Sequence, residues 1–116
     1  HLVDDRVVEA ALRALVDADR ARVRSELKSS ASSALRVIDA LAQHPVTTAK
    51  RVVEASGVTL PTALSTLAAL RAKGIVAELT GAKKNRVFAY SGYLEVLNRG
   101  TELGSSNSRA RTNTDT

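Results

Sequence analysis

The stretch TAKRVVEASGVTLPTALSTLAALRAKGI, residues 48–75, decides the fold. Thr48 is suited to cap a helix, because a hydroxyl placed before the first turn accepts from a backbone N–H that has no partner inside the helix. Ala49, Val52 and Val53 then recur at helical spacing up to Ser56. Gly57 closes that helix, since glycine enters the left-handed region without a Cβ penalty. Val58 reads as a buried turn residue. Thr59 repeats the cap, and Pro61 falls in a first turn, where its missing N–H would have had no partner. Ala63, Leu67 and Leu70 form the inner face of this second helix, which runs from about Leu60 to Lys73 and is terminated by Gly74. Two helices joined by Gly57, Val58 and Thr59 make a helix-turn-helix.

Toward the C-terminus the apolar period changes to two. Ile75, Ala77 and Leu79 alternate with Val76, Glu78 and Thr80, residues 81–85 supply turn chemistry, and residues 87–90 form the return strand of a β-hairpin with a basic tip. Ser91-Gly92 breaks it. Tyr93, Leu94 and Leu97 predict a short last helix stopped by Gly100, and residues 101–116, rich in serine, threonine and asparagine, are expected to be a disordered tail.

Toward the N-terminus, Leu35, Ile38, Leu41 and Ala42 mark a helix that ends before His44-Pro45, with a short extended piece at Val46. Ser32 or Ser33 is expected to cap it. Before these serines, residues 1–28 read as one long amphipathic linker helix whose stripe, including Val7, Leu15, Val16, Val23 and Leu27, is interrupted at Asp19-Arg20. The predicted class is therefore mostly α with a small β-hairpin: a winged helix-turn-helix over 29–100, preceded by the long helix. The stripe must be covered by the chain itself, by a preceding domain, or by the same helix of a second copy; a homodimer is expected, with intramolecular packing as the alternative.

Composition narrows the function. The chain has 116 residues, 44% of them apolar, which suits one domain. It contains no cysteine, methionine or tryptophan and only two histidines, His1 and His44, which excludes disulfides, thiolate zinc and a cysteine nucleophile. No apolar run reaches the ~20 residues of a membrane span, so a cytoplasmic chain with no membrane partner is expected. A start at His1, without methionine or a signal segment, suggests a piece cut from something longer. The net charge is +5, and all the excess lies in 29–100, which holds nine basic and four acidic residues. That is the footprint of a polyanion binder.

The densest basic cluster is the hairpin tip, where Lys83, Lys84 and Arg86 are placed to hold DNA phosphates; a lysine-rich turn also serves solubility and protects strand edges. Lys50, Arg51 and Arg71 are flanking contacts. On the second motif helix the outer face is read as Thr62, Ser65, Thr66, Ala69 and Lys73, with Leu64 near its edge. Thr62, Ser65 and Thr66 are then the residues facing a DNA groove, but the arginine, lysine, asparagine or glutamine that usually reads base edges is missing from its first three turns.

The run 34–102, including His44-Pro45-Val46, Thr48-Ala49-Lys50, Gly57-Val58, Leu60-Pro61-Thr62-Ala63, Lys73-Gly74-Ile75, Glu78-Leu79-Thr80-Gly81, Asn85-Arg86-Val87-Phe88, Tyr93-Leu94 and Leu97-Asn98-Arg99-Gly100-Thr101-Glu102, resembles the C-terminal winged-helix domain of bacterial Fic-family proteins. The long helix before it is similar to the linker that follows the Fic core. The resemblance implies a regulatory module attached to a protein adenylyltransferase, an enzyme that transfers AMP from ATP to a hydroxyl of a target protein. The Fic catalytic motif, His-Pro-Phe followed by a Gly-Asn-Gly-Arg loop, is not in this chain: His44-Pro45 is followed by Val46 and Thr47, with no glycine-rich anion loop. No catalytic residue, metal or cofactor is therefore expected. Double-stranded DNA is the expected partner, and a protein-interaction or dimerisation module that positions adenylylation targets is the alternative.

Overall fold

The chain runs as α1 (Asp5–Leu27), a 3-10 turn (Lys28–Ser30), α2 (Ala31–Gln43), β1 (Val46–Thr48), α3 (Ala49–Ser56), α4 (Leu60–Ala72), β2 (Val76–Glu78), β3 (Val87–Tyr90) and α5 (Ser91–Ser105). These elements belong to a computed structural model that describes residues 5–81 and 84–105. They form the expected class: mostly helical, with a small antiparallel sheet and a long N-terminal helix.

Local chemistry accounts for the central motif. The Thr48 hydroxyl accepts from Arg51 N at 3.2 Å and the Thr59 hydroxyl from Thr62 N at 3.3 Å, so both threonines cap the helices that follow them. Gly57 adopts φ +79° and closes α3 by donating from its N–H to Val53 O at 2.9 Å. The chain direction changes by 111° between α3 and α4, within the range of about 90–120° common to helix-turn-helix units.

The sheet has the order β1-β3-β2 and both pairings are antiparallel, with Thr47 opposite Phe88 and Glu78 also opposite Phe88 on the other side. The short piece at Val46 is thus a strand that completes the hairpin's sheet. As the central strand, β3 buries Phe88, Ala89 and Tyr90 in succession. Their neighbours in the core are Val37, Ile38 and Leu41 of α2, Val52 of α3, and Ala63, Leu67 and Leu70 of α4.

Helix α1 belongs to the same core. Val23 is fully buried, and Leu15, Val16 and Leu27 pack against the cluster, while the helix lies along α2 and α5. The stripe from Leu15 to Leu27 is covered within the chain, whereas Val7, nearer the start of the helix, is 59% exposed. Asp19 and Arg20, which interrupt the stripe, fasten it: Asp19 accepts from the Tyr90 hydroxyl at 2.7 Å, and Arg20 is paired with Asp39 of α2. Burial, reinforced by Asp19, pushes the Tyr90 ionisation far above its ordinary range, so the phenol stays a neutral donor. Lower on the helix, Glu26 is paired with Lys73 and Arg22, and the Lys73 hydrogen bond is the main cause that lowers the Glu26 carboxyl below its usual range.

Two local expectations are corrected. Ser30, not Ser32 or Ser33, stands at the α2 N-cap, and its side chain makes no cap hydrogen bond, because the 3-10 turn already feeds the chain into the helix. Gly100 does not stop α5, which continues to Ser105 and so takes in the start of the predicted tail. Residues 106–116 of that tail lie outside the described residues. Gly92 and Gly100 instead let α1 approach: a Cβ on Gly92 would lie 3.1 Å from Leu15 Cδ1, and one on Gly100 would lie 2.9 Å from Val8 Cγ2.

Candidate nucleic-acid interface

The structure brings Arg71 and Arg86 together. Arg71, in the last turn of α4, donates from Nη1 to Glu78 Oε1 at 3.2 Å, and Arg86, just before β3, donates from Nη2 to the same oxygen at 3.1 Å. Glu78 faces Phe88 across the ladder, so Arg86, two residues earlier in the chain and just ahead of the partner strand, is its diagonal neighbour. The Arg86 guanidinium also lies 5.3 Å from the centre of the Phe88 ring, a cation–π distance that holds it from a second side. Two guanidiniums and one carboxylate leave this cluster with a net positive charge.

Lys84 is exposed in the connection between β2 and β3, and Lys50 is exposed in the first turn of α3; among the described residues neither has a carboxylate partner. Lys83, the third member of the expected basic tip, lies outside the described residues. Arg51 is paired with Glu54 at 3.7 Å on the surface of α3.

The outer face of α4 differs from the one expected. Thr66 is only 7% exposed and lies on the inner stripe with Ala63, Leu67 and Leu70. The reason is geometric: position 66 is three residues after Ala63 and four before Leu70, which places it on the buried side of a 3.6-residue period. Thr66 therefore cannot face a groove. Thr62 is half-buried, and its hydroxyl accepts from the Thr59 hydroxyl at 3.0 Å, so it serves the cap. Lys73, also expected on this face, is held by Glu26 of α1. Ser65 alone of the three expected groove-facing residues is exposed.

Around Ser65 the solvent-facing side chains are Leu60, Pro61, Leu64, Ala68 and Arg71. Leu60 is 49% and Leu64 38% exposed, so the helix is apolar on both its inner and outer sides. A face of this composition has no donor or acceptor pattern to match against base edges beyond the Ser65 hydroxyl.

His44 sits where α2 ends, half-buried and out of helical dihedrals at φ −135° and ψ 78°, with its backbone N–H donating to Ala40 O at 2.9 Å. No group of three or more His, Asp or Glu side chains among the described residues is arranged to hold a metal ion. Nor is any single described helix long and apolar enough to cross a membrane.

Glu78 is the site residue that sequence reasoning missed. Its signal was present as the only acidic residue between Glu54 and Glu95, in the hairpin whose connection carries Lys83, Lys84 and Arg86. Compared with known proteins, the chain matches no family model, no curated protein and no solved structure.

Proposed function

We propose that this chain is a winged-helix module that binds double-stranded DNA chiefly through its phosphates, with little base readout. The observation that carries this reading is the convergence of Arg71 and Arg86, from two different elements, on one anionic oxygen. Guanidinium groups that can share a carboxylate oxygen can share a phosphate oxygen, because the geometry of the fork is the same. Lys84 extends the positive surface along the hairpin, Lys83 adds a further charge in the sequence beside it, and Lys50 adds one at the start of α3. The capped, bent helix pair followed by a hairpin supports the winged-helix reading, and the apolar outer face of α4 argues for backbone binding over sequence recognition.

On this reading the module acts in the bacterial cytoplasm as the regulatory C-terminal part of a Fic-type protein, and it binds without performing chemistry of its own. Retardation of labelled duplexes in about 100 mM salt tests it. The wild-type chain is expected to retard duplexes of unrelated sequence, and joint replacement of Lys83, Lys84 and Arg86 by alanine to abolish the shift. Absence of retardation on any duplex would refute the reading.

A second reading is favoured by one observation. Leu60 and Leu64 are large, adjacent on the α4 surface and open to solvent, as in a protein-docking face that would position an adenylylation target. Replacing both by serine would then remove partner binding, whereas DNA retardation through the hairpin would be unaffected.

A further inference from the structure

We infer that Glu78 is an internal competitor for phosphate: it occupies the Arg71–Arg86 fork and lowers the affinity of the module for DNA. The inference rests on the DNA-binding reading above and assigns a regulatory role within that same surface.

Both guanidiniums donate to one oxygen, Oε1, and among the described residues Glu78 carries the only carboxylate paired with either. Its side chain is 9% exposed, whereas those of Arg71 and Arg86 are 45% and 34% exposed. The carboxylate thus lies beneath the two cations and the cations face the solvent. A phosphate arriving from solvent meets guanidiniums whose charge is already partly satisfied from below. To bind, it must draw their donors outward from Glu78 or accept the donors that remain. Each guanidinium has five N–H groups, so approach is not blocked, but the electrostatic gain of the contact is reduced.

The purely structural account would have Glu78 stitch the hairpin to α4 with no influence on ligand binding. The two accounts differ in a measurable way. In the competitor account Glu78→Gln, which keeps an acceptor oxygen and removes the charge, releases about one additional phosphate contact. Binding should become severalfold tighter, and the loss of affinity between 50 and 200 mM salt should grow by about threefold, since each contact adds roughly 0.9 to the slope of log K against log salt. Glu78→Asp, which keeps the charge, should restore the wild-type slope.

The experiment is a fluorescence-anisotropy titration of a labelled duplex with the full 116-residue chain and its Glu78→Gln and Glu78→Asp variants, alone and combined with Arg71→Gln and Arg86→Gln. The expected result is a gain from Glu78→Gln that disappears when both arginines are replaced. A gain that persists without the arginines would reveal general repulsion of DNA by the carboxylate and overturn the inference. So would an unchanged slope in Glu78→Gln while the wild type binds normally. Failure of both wild type and Glu78→Gln to bind any duplex would instead bring down the DNA-binding reading itself, and this inference with it. Should Glu78→Gln not fold, the wild-type chain still decides: the carboxyl carbon resonance of Glu78 should shift as duplex is added, and a resonance that stays fixed at saturation contradicts the competitor role.

Discussion

Replacing Tyr90 by phenylalanine tests how α1 is joined to the rest of the domain. The ring is fully buried, and its hydroxyl donates to Asp19 Oδ2 at 2.7 Å across 71 positions of sequence. Phenylalanine preserves the ring, including its tilted contact with Tyr93 at 5.6 Å between centroids. Only the oxygen is lost. A hydrogen bond to a charged acceptor contributes about 1.5–3 kcal/mol, and a half-buried Asp19 left without its donor places the loss toward the middle of that range, about 2 kcal/mol. For a domain of this size such a loss lowers Tm by about 10 °C.

The pH dependence supplies a second signature. The folded-state ionisation of Tyr90 is raised by burial and then by Asp19, so its contribution is complete below the unfolded value of about 10 and declines as pH rises above it. Wild-type stability should fall from about pH 10 upward more steeply than that of Tyr90→Phe, by up to about 1.4 kcal/mol per pH unit. Urea denaturation followed by circular dichroism between neutral pH and pH 11 measures both effects. A Tyr90→Phe chain within about 0.5 kcal/mol of wild type, with the same alkaline slope, would refute the reasoning.

Three further substitutions probe other joints. Gly57→Ala meets open space but must hold φ +79°, so it should lose about 1 kcal/mol from backbone strain alone in urea melts. Gly92→Leu should cost about 1–3 kcal/mol by overpacking, because even a Cβ there lies 3.1 Å from Leu15; a melt unchanged from wild type would show that α1 and α5 are not in close contact. Thr66→Val is nearly isosteric at a buried site and should leave the anisotropy-derived DNA affinity unchanged, whereas a groove-facing Thr66 would make it fall.

The parts of the fold that were legible in the sequence are those fixed by neighbouring residues. Thr48 and Thr59 cap because a hydroxyl reaches the N–H three positions on, and Gly57 closes α3 because of its own φ. Thr66 was misplaced because a small polar residue on a helix is read as exposed by type, although its spacing from Ala63 and Leu70 put it inside. Gly100 read as a breaker because its use, the close approach of α1, is a contact with a residue more than ninety positions away. The candidate site behaves likewise. Lys84 and Arg86 are visible as a charge cluster, but the fork requires the register that sets Glu78 opposite Phe88, and the partner Arg71 comes from another element. The exposure of Leu60 and Leu64 follows from how α4 is rotated against the core, which hydropathy alone does not fix in a helix that is apolar all round.

The most direct test of phosphate binding is the salt dependence of wild-type affinity for a duplex of arbitrary sequence. With about three to five phosphate contacts, log K should fall against log salt with a slope of about −3 to −4.5, with affinities for unrelated duplexes close to one another. A slope near zero, or no binding to any duplex at low salt, would contradict the account.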